Sequence, residues 1–143
     1  MQFKEGKIQV NAEEMKTHIL IVDDEEQVRH VVARFLVKRG YHVSTCGSSA
    51  ETWQLLEREA VDVVVLDIEI GEENGLELLG ELQNKYPHLP AIIMTGRGCD
   101  EELFQVARAR GAAGYVSKLL RIDQLLMDIK RILDRCSVRG QAA

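Results

Sequence analysis

Five positions in this 143-residue chain carry side chains able to do chemistry together: the pair Asp23-Asp24, Asp67, Thr95 and Lys118. Each closes, or nearly closes, a short apolar run: His18-Ile19-Leu20-Ile21-Val22, Val63-Val64-Val65-Leu66, Ala91-Ile92-Ile93-Met94 and Gly114-Tyr115-Val116. Three carboxylates brought together without a cation repel, which raises the pKa of at least one. They make a coherent set around Mg²⁺, which takes oxygen ligands, keeps several waters and favours one or two carboxylates plus a phosphate. A carboxylate held beside such an ion can attack phosphorus and form an aspartyl-phosphate, because the metal neutralises charge gathering on the transferred oxygens. Thr95 can hydrogen-bond one phosphoryl oxygen, Lys118 offers a compact positive charge to another, and Gly96 leaves the approach unobstructed.

That chemistry requires a fold that delivers residues distant in sequence to one place. The β-branched run Val61-Asp62-Val63-Val64-Val65-Leu66 reads as a strand buried on both faces, the usual state of a central strand in a parallel sheet, with Asp67 at its carboxyl end. Ahead of it, His18–Val22 makes a first strand, and Val28, Val31, Val32, Phe35 and Leu36 follow at helical spacing up to Gly40. Val43–Cys46 makes a second strand, and Ser48 or Ser49 can cap a helix that turns Ala50, Trp53 and Leu56 inward. After Gly75 a helix with Leu76, Leu79 and Leu82 runs to Tyr86 and is stopped by Pro87. A fourth strand, Pro90–Met94, precedes a helix capped by Asp100; a fifth, Gly114–Val116, precedes a last helix with Ile122, Leu125, Leu126, Ile129 and Leu133 on one face. Five strands alternating with five helices predict an α/β protein: a doubly wound parallel five-stranded sheet covered on both faces. In the strand order 2-1-3-4-5, Asp23, Asp24 and Asp67 become neighbours in the crevice outside the strands' carboxyl ends, where such sheets bind ligands.

The length suits one domain, here residues 17–134, between an N-terminal arm, 1–16, and a C-terminal tail, 135–143. A formal net charge of −5 argues against a broad nucleic-acid or anionic-membrane surface. No apolar run reaches membrane-spanning length, the first residues lack a signal peptide's apolar core, and Cys46, Cys99 and Cys136 are few, odd in number and scattered. A cytoplasmic location is expected. His18, His30, His42 and His88 show no metal-ligand spacing and read as surface or packing residues.

At these motifs the sequence resembles a response-regulator receiver domain of two-component signalling, from residue 18 to about 134. The resemblance rests on Ile21-Val22-Asp23-Asp24-Glu25, Val65-Leu66-Asp67 with Gly75 eight residues on, Met94-Thr95-Gly96, and Tyr115-Val116-Ser117-Lys118. It implies a CheY-like, flavodoxin-like (βα)5 fold and a role as a phospho-acceptor rather than an enzyme with turnover of its own. Asp67 would accept the phosphoryl group. Asp24 would ligate Mg²⁺ directly, Asp23 largely through water, and the backbone carbonyl of Glu69 would be a further ligand. Thr95 and Tyr115 would form the switch pair, and Lys118 would bind phosphate. The implied partners are a sensor histidine kinase or phosphotransfer protein as donor, and a downstream protein, or a second phosphorylated copy, as target. Arg108, Arg110, Lys130, Arg131 and Arg135 belong either to that readout surface or to solvated helix faces.

Three positions depart from the family pattern. Leu119 follows Lys118 where proline in a cis peptide is usual, and a cis bond before a non-proline residue costs about 2.5–4 kcal/mol. Gly71 stands where proline is frequent, which should loosen the loop carrying Glu69. Arg121 occupies a place where an acidic cap is common, implying an altered start to the last helix. Two rival readings stand beside the receiver: a docking module of the same fold that works without phosphorylation, and an aspartyl-nucleophile phosphatase, whose acid/base position would hold Glu69. The ten residues after Leu133 are too few for a DNA-binding module, leaving a stand-alone receiver or a piece of a longer regulator.

Overall fold

The structure is a computed structural model that describes residues 16–96, 100–118 and 122–142, with side chains as far as Arg135. Most of the N-terminal arm, Cys99, Leu119 with the peptide bond to Lys118, and Arg121 lie outside the described residues.

Strands β1 (His18–Val22), β3 (Val63–Leu66) and β6 (Ala91–Thr95) are buried along their whole length, as their unbroken apolar runs require. Strand β2 (His42–Cys46) pairs outside β1, and β7 (Gly114–Ser117) outside β6; both edge strands are partly exposed. Within this five-stranded sheet all pairings are parallel and the order is β2-β1-β3-β6-β7, which is the predicted 2-1-3-4-5 once a small separate hairpin is left out of the count.

Alternation along the strands divides the interior in two. Leu20, Val22, Leu66 and Ile93 face α2 (Ser49–Arg58), α3 (Gly75–Lys85) and α4 (Glu101–Ala109), meeting Leu55, Leu79 and Ala107. Ile19, Ile21, Val65 and Met94 face α1 (Glu26–Val37) and α5 (Ile122–Ala142), meeting Leu36, Leu125 and Ile129. Burial of each such side chain contributes about 1.5–3 kcal/mol, so the two apolar layers hold the strand ends rigidly in register. Helix α5 continues without a break through the segment set apart as a tail, to Ala142. Among the described residues no helix is long and apolar enough to cross a membrane.

Side chains set the helix starts. Ser48 Oγ accepts from Glu51 N at 3.2 Å, Asn74 Oδ1 from Leu76 N at 2.8 Å and Asp100 Oδ1 from Leu103 N at 3.1 Å. Helix α1 starts without such a cap; the carboxylate of Glu25, at its N-cap position, is turned elsewhere.

The loop after Asp67 has more order than the sequence suggested. It folds into a two-stranded antiparallel hairpin, β4 (Glu69–Ile70) against β5 (Glu73–Asn74), with Gly71 at φ 61 in the turn. A positive φ at that place suits glycine, so Gly71 here serves a defined reversal of the chain. Glu73 ties the hairpin to α2, accepting from Ser49 N at 3.0 Å and Ser49 Oγ at 2.6 Å.

Candidate functional site

The carboxyl ends of β1, β3, β6 and β7 place the acids, the threonine and the lysine. Backbone ladders run one step past the strands: Asp67 N donates to Val22 O at 3.0 Å, Asp23 N to Cys46 O at 3.0 Å and Lys118 N to Thr95 O at 2.8 Å. Asp67 is thereby held next to the acid pair and Lys118 next to Thr95. Arg29, from α1, reaches back and donates to the Asp23 carbonyl at 2.6 Å. Gly75 lets α3 start close beneath Asp67, since a Cβ there would collide with the Asp67 carbonyl oxygen and lie 2.8 Å from Ile68 Cα.

At the centre is the Lys118 ammonium. It donates to Asp67 Oδ2 at 2.9 Å and Glu25 Oε1 at 3.0 Å, and stands 2.8 Å from Asp23 Oδ2. Asp23 and Asp67 are buried, whereas the Glu25 side chain is 62% exposed, so the first two ion pairs are little screened and the third is close to solvent. Burial pushes the Asp67 carboxyl above its ordinary pKa; the Lys118 hydrogen bond pulls it back and the charge of Asp23 pushes it up again. Burial works against the Lys118 ammonium, but the carboxylates of Asp23, Asp67 and Glu25 around it outweigh it and hold the group well above the usual lysine range. The lysine is therefore a fixed cation, and it opposes the protonation that burial favours at Asp67.

The remaining predicted residues surround this cluster. Thr95 is buried at the end of β6. Tyr115 lies on β7 opposite Ile93, so it shares a sheet face with Thr95, and its ring meets Phe104 of α4 edge-on at 5.5 Å. Glu69 is exposed, and its backbone N–H donates to Asp67 Oδ1 at 3.3 Å. Asp24 is exposed on the rim of an open groove of about 930 Å³ that Asp67, Glu69 and Lys118 also line.

The acids that converge differ by one from those the sequence suggested. Carboxylate oxygens of Asp23, Glu25 and Asp67 lie within 4.8 Å of one another, and Asp24 is not among them. Sequence reasoning gave Glu25 no role; its only signal there was adjacency to the acid pair. The Ser49–Glu73 tie has no sequence signal, because it joins residues of two unrelated loops. Asp23 Oδ2 is buried and takes no hydrogen bond among the described residues, being met by the charge of Lys118 instead. An all-oxygen donor set with such an atom fits a hard divalent cation of the Mg²⁺ kind.

A family model for the response regulator receiver domain matches residues 19–130. The chain belongs to that family. This receiver is 33% identical over 115 residues to a putative NtrX-like response regulator of Rickettsia bellii, covering 79% of this chain and 24% of the relative. It is 33% identical over 113 residues to the regulatory protein VirG of Agrobacterium tumefaciens, covering 79% of this chain and 42% of VirG. The chain thus spans less than half the length of these curated relatives. Among solved structures, a CheY-like response regulator receiver domain protein from Methanospirillum hungatei superposes with a TM-score of 0.80 at 28% identity, covering 87% of this chain and 99% of that one. The α/β fold is CheY-like, as the sequence motifs implied, and the family is one of signalling domains.

Proposed function

We propose that this receiver takes a phosphoryl group from a phosphohistidine of a sensor kinase or phosphotransfer protein onto Asp67, and that the product switches a protein-binding surface. The observation that carries the reading is the Lys118 ammonium held 2.9 Å from Asp67 Oδ2 and 2.8 Å from Asp23 Oδ2 at the end of the central strand. Asp67 attacks as a carboxylate, so it must be ionised despite its burial, and Lys118 keeps it so. As the Asp67 Oδ–P bond forms, the P–N bond to the donor imidazole breaks and its electron pair returns to the nitrogen. Lys118 can then move its hydrogen bond from the carboxylate to a phosphoryl oxygen without leaving the site. Asp23, Asp24, Asp67 and the backbone carbonyl of Glu69 would hold Mg²⁺, with Glu25 able to join or replace Asp24. The bound ion supplies neutralisation of charge on the transferred oxygens.

The Thr95 hydroxyl, drawn toward the phosphoryl oxygens, would vacate space on the sheet face it shares with Tyr115. The Tyr115 ring can enter that space by giving up its contact with Phe104, a shift between two packings of α4 and β7. The partner read by that surface is a protein or a second phosphorylated copy of this chain, met in the cytoplasm.

The test is intact-mass measurement after incubation with Mg²⁺ and a small acyl-phosphate donor, with Asp67→Asn alongside. The expected result is a gain of one phosphoryl group by the parent and none by the variant. A folded parent that gains nothing would instead be a docking module, and sustained turnover of small phosphomonoesters would make it a phosphatase.

A further inference from the structure

At the end of β1 remote from Asp23, three side chains meet that the phosphoryl chemistry does not use. His18 and His42 open β1 and β2 and are register partners, with ring centroids 4.2 Å apart. Glu59, at the C-cap of α2, places Oε1 3.6 Å from His18 Nε2. The His18 ring is oriented from behind, with Nδ1 2.8 Å from the Ala60 carbonyl oxygen. A carbonyl oxygen only accepts, so Nδ1 carries the proton. In neutral His18 the lone pair is then on Nε2, where the Ser44 hydroxyl donates to it at 2.7 Å. A backbone carbonyl on the far ring nitrogen is how metal-ligating histidines are commonly fixed, since it sets both tautomer and orientation. Ligand atoms of His18, His42 and Glu59 all lie within 4.8 Å of one another. His18 is 7% exposed, whereas His42 is half-buried and the Glu59 side chain is 40% exposed, so the cluster has a rigid floor and an open mouth.

We propose that His18, His42 and Glu59 form a second metal site, for a borderline divalent cation of the Zn²⁺ class, separate from the carboxylate cluster. Two imidazoles and one carboxylate suit Zn²⁺ and leave a fourth position for water, whereas Mg²⁺ and Ca²⁺ prefer all-oxygen sets. Ligation at about 2.0–2.2 Å draws the three groups inward, by rotation of the Glu59 and His42 side chains and release of the Ser44 hydroxyl. Asp23 lies five positions along the chain from His18, roughly 16 Å at the usual strand rise, so the ion has no contact with the phospho-acceptor beside it. A bound ion fastens the edge strand β2 and the end of α2 to β1, and stabilises the fold by mass action. The spacing of the histidines in sequence gave no sign of this, because the pair is made by strand register.

The test is calorimetric titration of Zn²⁺ into the untagged full chain with excess Mg²⁺ occupying the carboxylates, alongside histidine-ring NMR. One Zn²⁺ per chain is expected, with ring shifts at His18 and His42 and a raised thermal midpoint. His42→Ala and Glu59→Gln, both away from the rigid floor, should each weaken binding by at least about tenfold, and His88→Ala should leave it unchanged. Absence of Zn²⁺ binding under Mg²⁺, parent-like affinity in folded His42→Ala and Glu59→Gln, or shifts confined to His30 and His88 would each overturn the site.

Discussion

Replacing Lys118 with methionine keeps a side chain of similar length and removes the one cation that, among the described residues, meets Asp23, Glu25 and Asp67 together. Hydrogen bonds to charged groups contribute about 1.5–3 kcal/mol each, and removal of one partner of a buried pair typically costs about 3–5 kcal/mol. The exposed Glu25 contact adds little. Two buried carboxylates left facing each other relieve part of the loss by taking up a proton, so the expected destabilisation near pH 7.5 is about 2–4 kcal/mol.

The pH dependence separates this account from simple loss of packing. Because the folded-state pKa of Lys118 is raised, its stabilisation is present below the ordinary lysine value and lost only as pH rises through the raised one. It is therefore intact in the parent across the neutral range. Asp67 is also raised, so the folded state binds that proton more tightly than the unfolded chain. Stability accordingly falls as pH climbs from the ordinary carboxylate value through the raised one. Without the Lys118 hydrogen bond that window extends upward, and the variant's deficit should grow with pH by about 1.4 kcal/mol per unit per proton released. Urea unfolding of both proteins between about pH 5 and 8 measures it, and added Mg²⁺ should restore more stability to the variant than to the parent. A deficit below about 0.5 kcal/mol, or one equal at both ends of that range, would refute the reasoning.

Gly75→Ala should be among the most damaging single changes, because its Cβ would strike the Asp67 carbonyl; a loss of about 3 kcal/mol or more in denaturant unfolding is expected, with weakened phosphoryl uptake in whatever remains folded. Ser49→Ala removes both hydroxyl and orientation from the Glu73 tie at an exposed place, so global stability should change by less than about 1 kcal/mol while amide exchange across 69–74 accelerates. Asp100→Ala deletes the cap of α4 and should lower stability by about 1 kcal/mol, read as a shift in the urea midpoint at unchanged slope.

Local signals made much of this protein legible before any coordinates. The apolar runs at 18–22, 61–66 and 90–94 read as buried strands, and Ser48 or Ser49 and Asp100 marked helix starts because capping is chemistry of single residues. Doubly wound topology then followed from the strict alternation of strands and helices, and with it the approach of Asp23-Asp24 to Asp67, of which Asp23 and Asp67 converge and Asp24 stays on the rim. What the sequence left undecided depends on side chains from separate elements meeting at ångström distances. Glu25 rather than Asp24 reaches the Lys118 ammonium because the turn after β1 aims these two exposed carboxylates in different directions. Gly71 could be read as loosening a loop, yet with the Ser49–Glu73 tie it closes a hairpin, since one residue's permitted φ does not say which reversal the surroundings will select. His18 and His42 have no meaningful spacing along the chain and become neighbours only through the β1–β2 register, a long-range property that local patterning does not encode.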